Sequence, residues 1–308
     1  MPRVVFVFLD GVGLGRADES NPFWLARTET IRYLLGAPLV AGAEQSRPGL
    51  TVRALDTRLG VEGLPQSATG QVALFTGVNT AQLLGYHLPA FPNGPLKELV
   101  RERSILRRAT ELGYRATFAN AYTPAYFDMI NRTNRPMSAT THAVLGANLP
   151  VRWLSDLEKG QAIYWDMTNE HLVNQYHLDV PVVAPEEAGR NLARLAEDHE
   201  LVLYESFLPD MVGHKKDVEQ AIAAVERLDR FLGGLLRHVA ADATVVVSSD
   251  HGNIEDLTQG VHTLNPVPLL AIGPGAATFR DARALTDVAR SILQVLGEQF
   301  DRLPNDVT

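Results

Sequence analysis

Apolar positions in this chain fall into short continuous runs separated by longer stretches of helical period. The run Val4–Leu9 (VVFVFL) is β-branched and aromatic and stops at Asp10. It predicts a strand buried on both faces, ending in the glycine-rich turn DGVGLG. RATFANA (115–121), ELVLYESF (200–207), ATVVVSS (243–249) and VPLLAIG (267–273) read the same way. Between them lie helical patterns. SATGQVALFTG starts at Ser67 as an N-cap residue and stops at Gly77. ERSILRRATELG carries the apolar stripe Leu106, Ala109 and Leu112. In PEEAGRNLARLAEDH, Pro185, Glu186 and Glu187 suit a first helical turn. DVEQAIAAVERLDRFLGGLLRHVA sets Ile222, Val225, Leu228, Leu232 and Leu235 on one face. ALTDVARSILQVLG supplies the last helix.

This alternation predicts an α/β fold, a mostly parallel central sheet with helices on both faces. Two segments break the pattern. Residues 47–66 are rich in Gly, Pro and turn formers. Residues 123–175 hold Asn, Thr, Pro and Trp with weak periodicity and are expected to form a small cap or insertion. The core is then expected to comprise 1–122 and 176–308.

Composition narrows the choice of function. The 308 residues are 45% apolar and 21% charged, as in an ordinary globular chain, and the net charge is -8. That balance disfavours a nucleic-acid or anionic-membrane surface, each of which asks for a basic face. There is no cysteine, which excludes disulfides and thiolate-bound zinc. The first apolar run has six residues, too few for a signal core or a membrane span, so a cytoplasmic protein is expected.

The chemistry lies where the strands end. Asp10 follows the first run, and Asp210 and His214 follow ELVLYESF. Asp250 and His251 follow ATVVV, His262 precedes VPLLAIG, and Ser67 begins a helix. An open α/β sheet gathers such positions at one edge, where its ligand crevice lies. Three Asp and three His suit two divalent cations, and the mixture of carboxylate and imidazole points to Mn²⁺ or Zn²⁺. A metal pair roughly 3.5–4 Å apart clamps the attacking and leaving oxygens of a phosphoryl transfer. A serine at a helix N-terminus adds a nucleophile beside a natural phosphate site. Thr69 offers a second hydroxyl two residues on. Asn21, Arg132 and Arg135 are candidate contacts to phosphate or carboxylate, the arginines because their planar forks match such groups.

DGVG, PQSATGQ, PDMVGH, SSDHGN and VHTLNPVP, in this order, resemble the motifs of the alkaline phosphatase superfamily. They are closest to its cofactor-independent phosphoglycerate mutase and phosphopentomutase branch. The resemblance implies that Asp10, Ser67, Asp250 and His251 hold one metal, with Ser67 becoming phosphorylated. It implies that Asp210, His214 and His262 hold the other. The partner would be a small anionic phosphorylated substrate.

Two departures stand out. Only about 140 residues separate Ser67 from Asp210, less than the arginine- and histidine-rich second domain of the similar mutases would need. Gln71 stands where the family commonly has His. The expected activity is phosphoryl transfer from a phosphomonoester to water, giving a phosphatase, or to another hydroxyl of the substrate, giving a mutase. A short cap leans away from the full mutase. The alternatives are a non-catalytic metal-binding scaffold or ligand sensor, and a phosphodiesterase or sulfatase on the same fold. The sequence leaves oligomeric state open.

Overall fold

The computed structural model describes residues 2–298. Among the described residues nine strands form: β1 (Arg3–Leu9), β2 (Gln45–Arg47), β3 (Leu50–Leu55), β4 (Ala116–Phe118), β5 (Ala121–Tyr122), β6 (Arg152–Trp153), β7 (Leu201–Ser206), β8 (Ala243–Ser249) and β9 (Val267–Ile272). Seven build one sheet in the order β2-β3-β9-β8-β1-β7-β4, and β5 pairs with β6 beside it. Strands β8, β1, β7 and β4 run parallel, whereas β9, β3 and β2 each run antiparallel to their neighbour. Five of the seven therefore point the same way, as the mostly parallel expectation requires.

The apolar runs become the centre of the sheet because both faces are covered. Val4 to Phe8 of β1 are fully buried. Val4, Phe6 and Phe8 face one layer with the helix Ser67–Thr76 and the helix Thr286–Leu296. Phe75 meets Phe6 and Phe8 edge-on there, with centroids 6.4 and 5.3 Å away. Val5, Val7 and Leu9 face the opposite layer, made by the helices Pro185–Asp198 and Val218–His238. Those two helices approach closely, since a Cβ on Gly189 would lie 2.1 Å from the Phe231 carbonyl oxygen.

Local details differ from the sequence reading. Residues 47–66 contain β3 and the end of β2, an antiparallel edge pair inside a turn-rich stretch. The helix expected across ERSILRRATELG (102–113) is broken at Ser104, which caps Ile105–Glu111, and Leu112 is left exposed beyond its end. Of the face expected on the helix Val218–His238, Val225, Leu228, Leu232 and Leu235 are buried. Within 123–175, the helix Ala139–Gly146 packs into the same layer as Ser67–Thr76, while Leu157, Tyr164 and Leu172 build a small separate cluster. Among the described residues no helix is long and apolar enough to cross a membrane.

Candidate metal centre

Strand register sets the site. Leu9 of β1 pairs with Ser206 of β7 and with Ser249 of β8, so the three parallel strands end level. Asp10, the helix Leu208–Gly213 with Asp210, and Asp250–His251 therefore emerge side by side. Strand β9 runs the other way, so its start lies at this same edge, and His262 enters from the loop before it. An antiparallel strand thus delivers from its beginning what the parallel ones deliver from their ends.

The side chains converge into two overlapping groups. Asp10, Asp250 and His251 place ligand atoms within 4.8 Å of one another, and so do Asp210, His251 and His262. His251 Nε2 lies 3.2 Å from Asp10 Oδ1 and 3.6 Å from Asp250 Oδ2. His262 Nε2 lies 3.7 Å from Asp210 Oδ1, and His214 Nε2 lies 3.3 Å from Asp210 Oδ2. The rings of His251 and His262 stack with centroids 3.7 Å apart. His251 is fully buried, while His214 is 44% exposed, so the pair of groups opens to solvent on the His214 side.

Ser67 is the first residue of its helix; Gln66 takes the cap position, with no side-chain cap bond. The expected N-cap role is thus corrected. The Ser67 hydroxyl caps nothing and lies 3.0 Å from His251 Nε2. Thr69 turns inward and donates to the Gln66 carbonyl at 3.1 Å.

The other candidates bond within their own segments. Asn21 is buried as the cap of the helix Pro22–Leu25; its amide accepts from the Phe23 N–H and donates to the Arg16 carbonyl. Arg132 donates to the Asp128 carbonyl of its own helix, and Arg135 reaches the Met129 sulfur at 3.5 Å. None of these bonds meets a residue of the two groups.

Several positioning residues escaped the sequence reading. Asn253 Nδ2 donates to Asp210 Oδ1 at 2.6 Å. Ser249 Oγ accepts from the Val12 N–H and donates to the His251 carbonyl. The buried Glu255 carboxylate accepts from the Gly13 and Asn253 N–H groups at 2.8 and 2.7 Å, and also from Thr263 and Asn265. Ser249 and Asn253 lie inside the SSDHGN stretch, which was a usable signal; Glu255 lies just beyond it. Gln71 sits four residues after Ser67, on the same helix face, and its amide touches both Asp10 and Asp250.

The electrostatics follow from crowding. Burial raises the pKa of Asp10 and of Asp250, and for Asp250 the Asp10 charge adds to it. Burial works against a charge on His251, but Asp250 and Asp10 outweigh it and the net shift is upward. Burial and then the neighbouring His251 push His262 down.

The model of the Metalloenzyme superfamily matches residues 2–299. The chain belongs to the metalloenzyme superfamily. Among curated relatives, a 2,3-bisphosphoglycerate-independent phosphoglycerate mutase of Cereibacter sphaeroides is 36% identical over 149 residues, 46% of this chain and 29% of that protein. The enzyme of the same name from Desulforudis audaxviator is 41% identical over 134 residues, 41% of this chain and 26% of that protein. The match thus spans less than a third of these relatives' own length. Among solved structures, the Leishmania mexicana phosphoglycerate mutase superposes with a TM-score of 0.52 at 14% identity, covering 99% of this chain and 96% of that one. The Thermus thermophilus alkaline phosphatase gives 0.51 at 12% identity, covering 97% and 92%. These structures share the fold.

A metalloenzyme's cations should fit the donors present, and these do. Asp10 Oδ1 is buried without a hydrogen-bond partner. His262 Nδ1 donates to the Pro65 carbonyl at 2.8 Å, and His214 Nδ1 donates to the Gly260 carbonyl at 3.0 Å. Carbonyl oxygens only accept, so each ring keeps its Nε2 lone pair free on the side of Asp210. Metal-binding histidines are held in this manner.

Proposed function

We propose that this metalloenzyme is a dinuclear phosphoryl-transfer enzyme acting on small phosphomonoesters through a phosphoserine at Ser67. One observation carries the reading: an uncapped, first-turn serine hydroxyl 3.0 Å from His251, the residue common to both ligand groups. A scaffold or sensor that only binds cations could take water in place of that hydroxyl. Asp10, Ser67, Asp250 and His251 would hold one cation, and Asp210, His214 and His262 the other. The oxygen and imidazole donors suit Mn²⁺ or Zn²⁺. Bound cations supply charge stabilisation for the phosphoryl oxygens and lower the pKa of a coordinated hydroxyl.

The chain's own residues do the rest. Ser67 Oγ gives up its proton to solvent and forms the bond to phosphorus as the ester P–O bond breaks. The departing alcohol leaves with a proton. The helix start at Ser67 presents backbone N–H groups and a positive dipole end to the phosphoryl oxygens. Phosphoserine then passes its phosphoryl group to an acceptor. The exposure of His214 supports water as the acceptor, which would make the protein a phosphatase. Transfer to a second hydroxyl of the same substrate is the other outcome, supported by the relatives' names.

The test is a phosphate-release screen over sugar phosphates, phosphoglycerates and an aryl phosphate with Mn²⁺ or Zn²⁺, beside a mutase-coupled assay. Release of phosphate supports the phosphatase, and isomer formation without release supports the mutase. Bound cations with no turnover of any substrate would return the scaffold reading.

A further inference from the structure

We propose that Gln71 is a positioning residue whose single amide sets Asp10 and Asp250 in the arrangement that receives a divalent cation. The inference rests on the dinuclear reading above and adds a residue outside the expected ligand set.

Gln71 is buried, one turn along from Ser67. Its Nε2 lies 3.2 Å from Asp10 Oδ2 and 3.2 Å from Asp250 Oδ2. A primary amide has two N–H donors, and here each has its own carboxylate. The two acids come from the ends of different strands, β1 and β8, and like charges at this depth would push them apart. The shared amide holds them together and adds no charge.

That neutrality matters. A lysine there would bring a positive charge to compete with a cation, and a glutamate would add a third repelling carboxylate. Because Gln71 takes Oδ2 of each acid, the other oxygens are oriented too. Asp10 Oδ1 is left without a hydrogen bond, 3.2 Å from His251 Nε2. Asp250 Oδ1 accepts the backbone N–H groups of His251 at 3.0 Å and Gly11 at 3.4 Å.

Gly70 makes the reach possible. A Cβ at that position would lie 2.8 Å from the Asp250 carbonyl oxygen, so the helix can press against the end of β8 only without one. The same helix therefore brings in the hydroxyl with its first residue and the positioning amide with its fifth.

The test is Gln71→Met, which keeps the length and removes both donated bonds. Mn²⁺ binding to the full chain is followed by isothermal titration and by the electron paramagnetic resonance of the bound ion. Wild type is expected to take two ions. In the variant one of the two sites should weaken by about 10- to 100-fold, as losses of supporting hydrogen bonds to metal ligands do. The site built on Asp210, His214 and His262 should keep its affinity. A merely structural role would lower the melting temperature and leave the two affinities in their wild-type ratio. Should Gln71→Met fail to fold, Gln71→Asn serves, since its amide is one methylene too short to reach both acids. Wild-type-like binding at both sites in the folded variant, or equal loss at both, overturns the proposal alone. Absence of Mn²⁺ and Zn²⁺ binding by wild type overturns the dinuclear reading, and this proposal with it.

Discussion

The hydroxyl of Ser67 and Nε2 of His251 stand 3.0 Å apart although 184 positions separate them in the chain. The first sits at the start of a helix, the second just past the end of β8. If Ser67 is the nucleophile, Ser67→Ala should abolish turnover while cation binding persists, because water can replace one hydroxyl ligand. Loss of a nucleophile leaves only orientation and charge stabilisation, so a fall of at least about 10³-fold is expected. Thr69→Ala should change kcat little, since that hydroxyl is turned back to the Gln66 carbonyl. Mass spectrometry of acid-quenched wild type should find phosphate on the Ser67 peptide. A label on Thr69, or near-full activity in Ser67→Ala, would sink the assignment.

Because His251 belongs to both ligand groups, substitutions there and at its neighbours should separate. Asp210→Ala and His262→Ala are each expected to remove mainly one of two bound ions. His251→Ala should weaken both. Metal analysis of purified, fully loaded variants reads this directly. Equal stoichiometry in all three variants would contradict the overlap of the two groups.

The convergence of these side chains was legible because strand ends are legible: a continuous apolar run that stops at Asp10 or Asp250 marks an edge of the sheet. The direction of a strand is not. VPLLAIG reads identically either way, yet β9 runs antiparallel, and only then does His262 reach the same edge as Asp250. Strand β3 was hidden because its LTVRAL sits among Gly and Pro residues and pairs locally with β2. Ser67 carried the residue type of a cap, but Gln66 took that position and released the hydroxyl. Gln71, Asn253 and Glu255 act through contacts across the fold, between residues up to 242 positions apart, which no local pattern encodes. Asn21 illustrates the reverse, since both ends of its side-chain amide are engaged by the turn that holds it.

A pH-dependent contribution to stability should come from Glu200, which precedes β7 at the end opposite to Asp210. The Arg115 guanidinium donates to its carboxylate and, against the effect of burial, pulls its pKa from 4.5 down to about 2. The folded value lies below the unfolded one. The stabilisation is therefore complete above about 4.5 and is lost as pH falls through about 2. Arg115 is 60% exposed, so solvent screens the pair, and Glu200→Gln should cost on the order of 1 kcal/mol at neutral pH. Urea melts of wild type and variant should differ at pH 7 and converge toward pH 2. A constant difference across that range would show that the carboxylate's charge is not the cause.

Glu255 ties together the loop after β1 and two parts of the connection between β8 and β9, all of which carry candidate ligands. One oxygen accepts from Gly13, behind Asp10, and from Asn253, behind His251. The other accepts from the Thr263 hydroxyl and the Asn265 amide, behind His262. Gly13 and Gly252 leave it room, since a Cβ on either would lie 2.2 Å from Glu255 Oε1. Glu255→Gln keeps the shape but turns one accepting end into a donor facing donors. Hydrogen bonds to a charged group are worth about 1.5–3 kcal/mol each, so a loss on the order of 3 kcal/mol in folding stability is expected. Cation affinity should fall as well, by about 10- to 100-fold, because the loops that orient Asp10, His251 and His262 lose their common anchor. Unlike Gln71→Met, this change should weaken both sites together. Thermal melts and Mn²⁺ titration of the same preparation separate the two effects. A variant that melts earlier but binds both ions with wild-type affinity would confine Glu255 to folding.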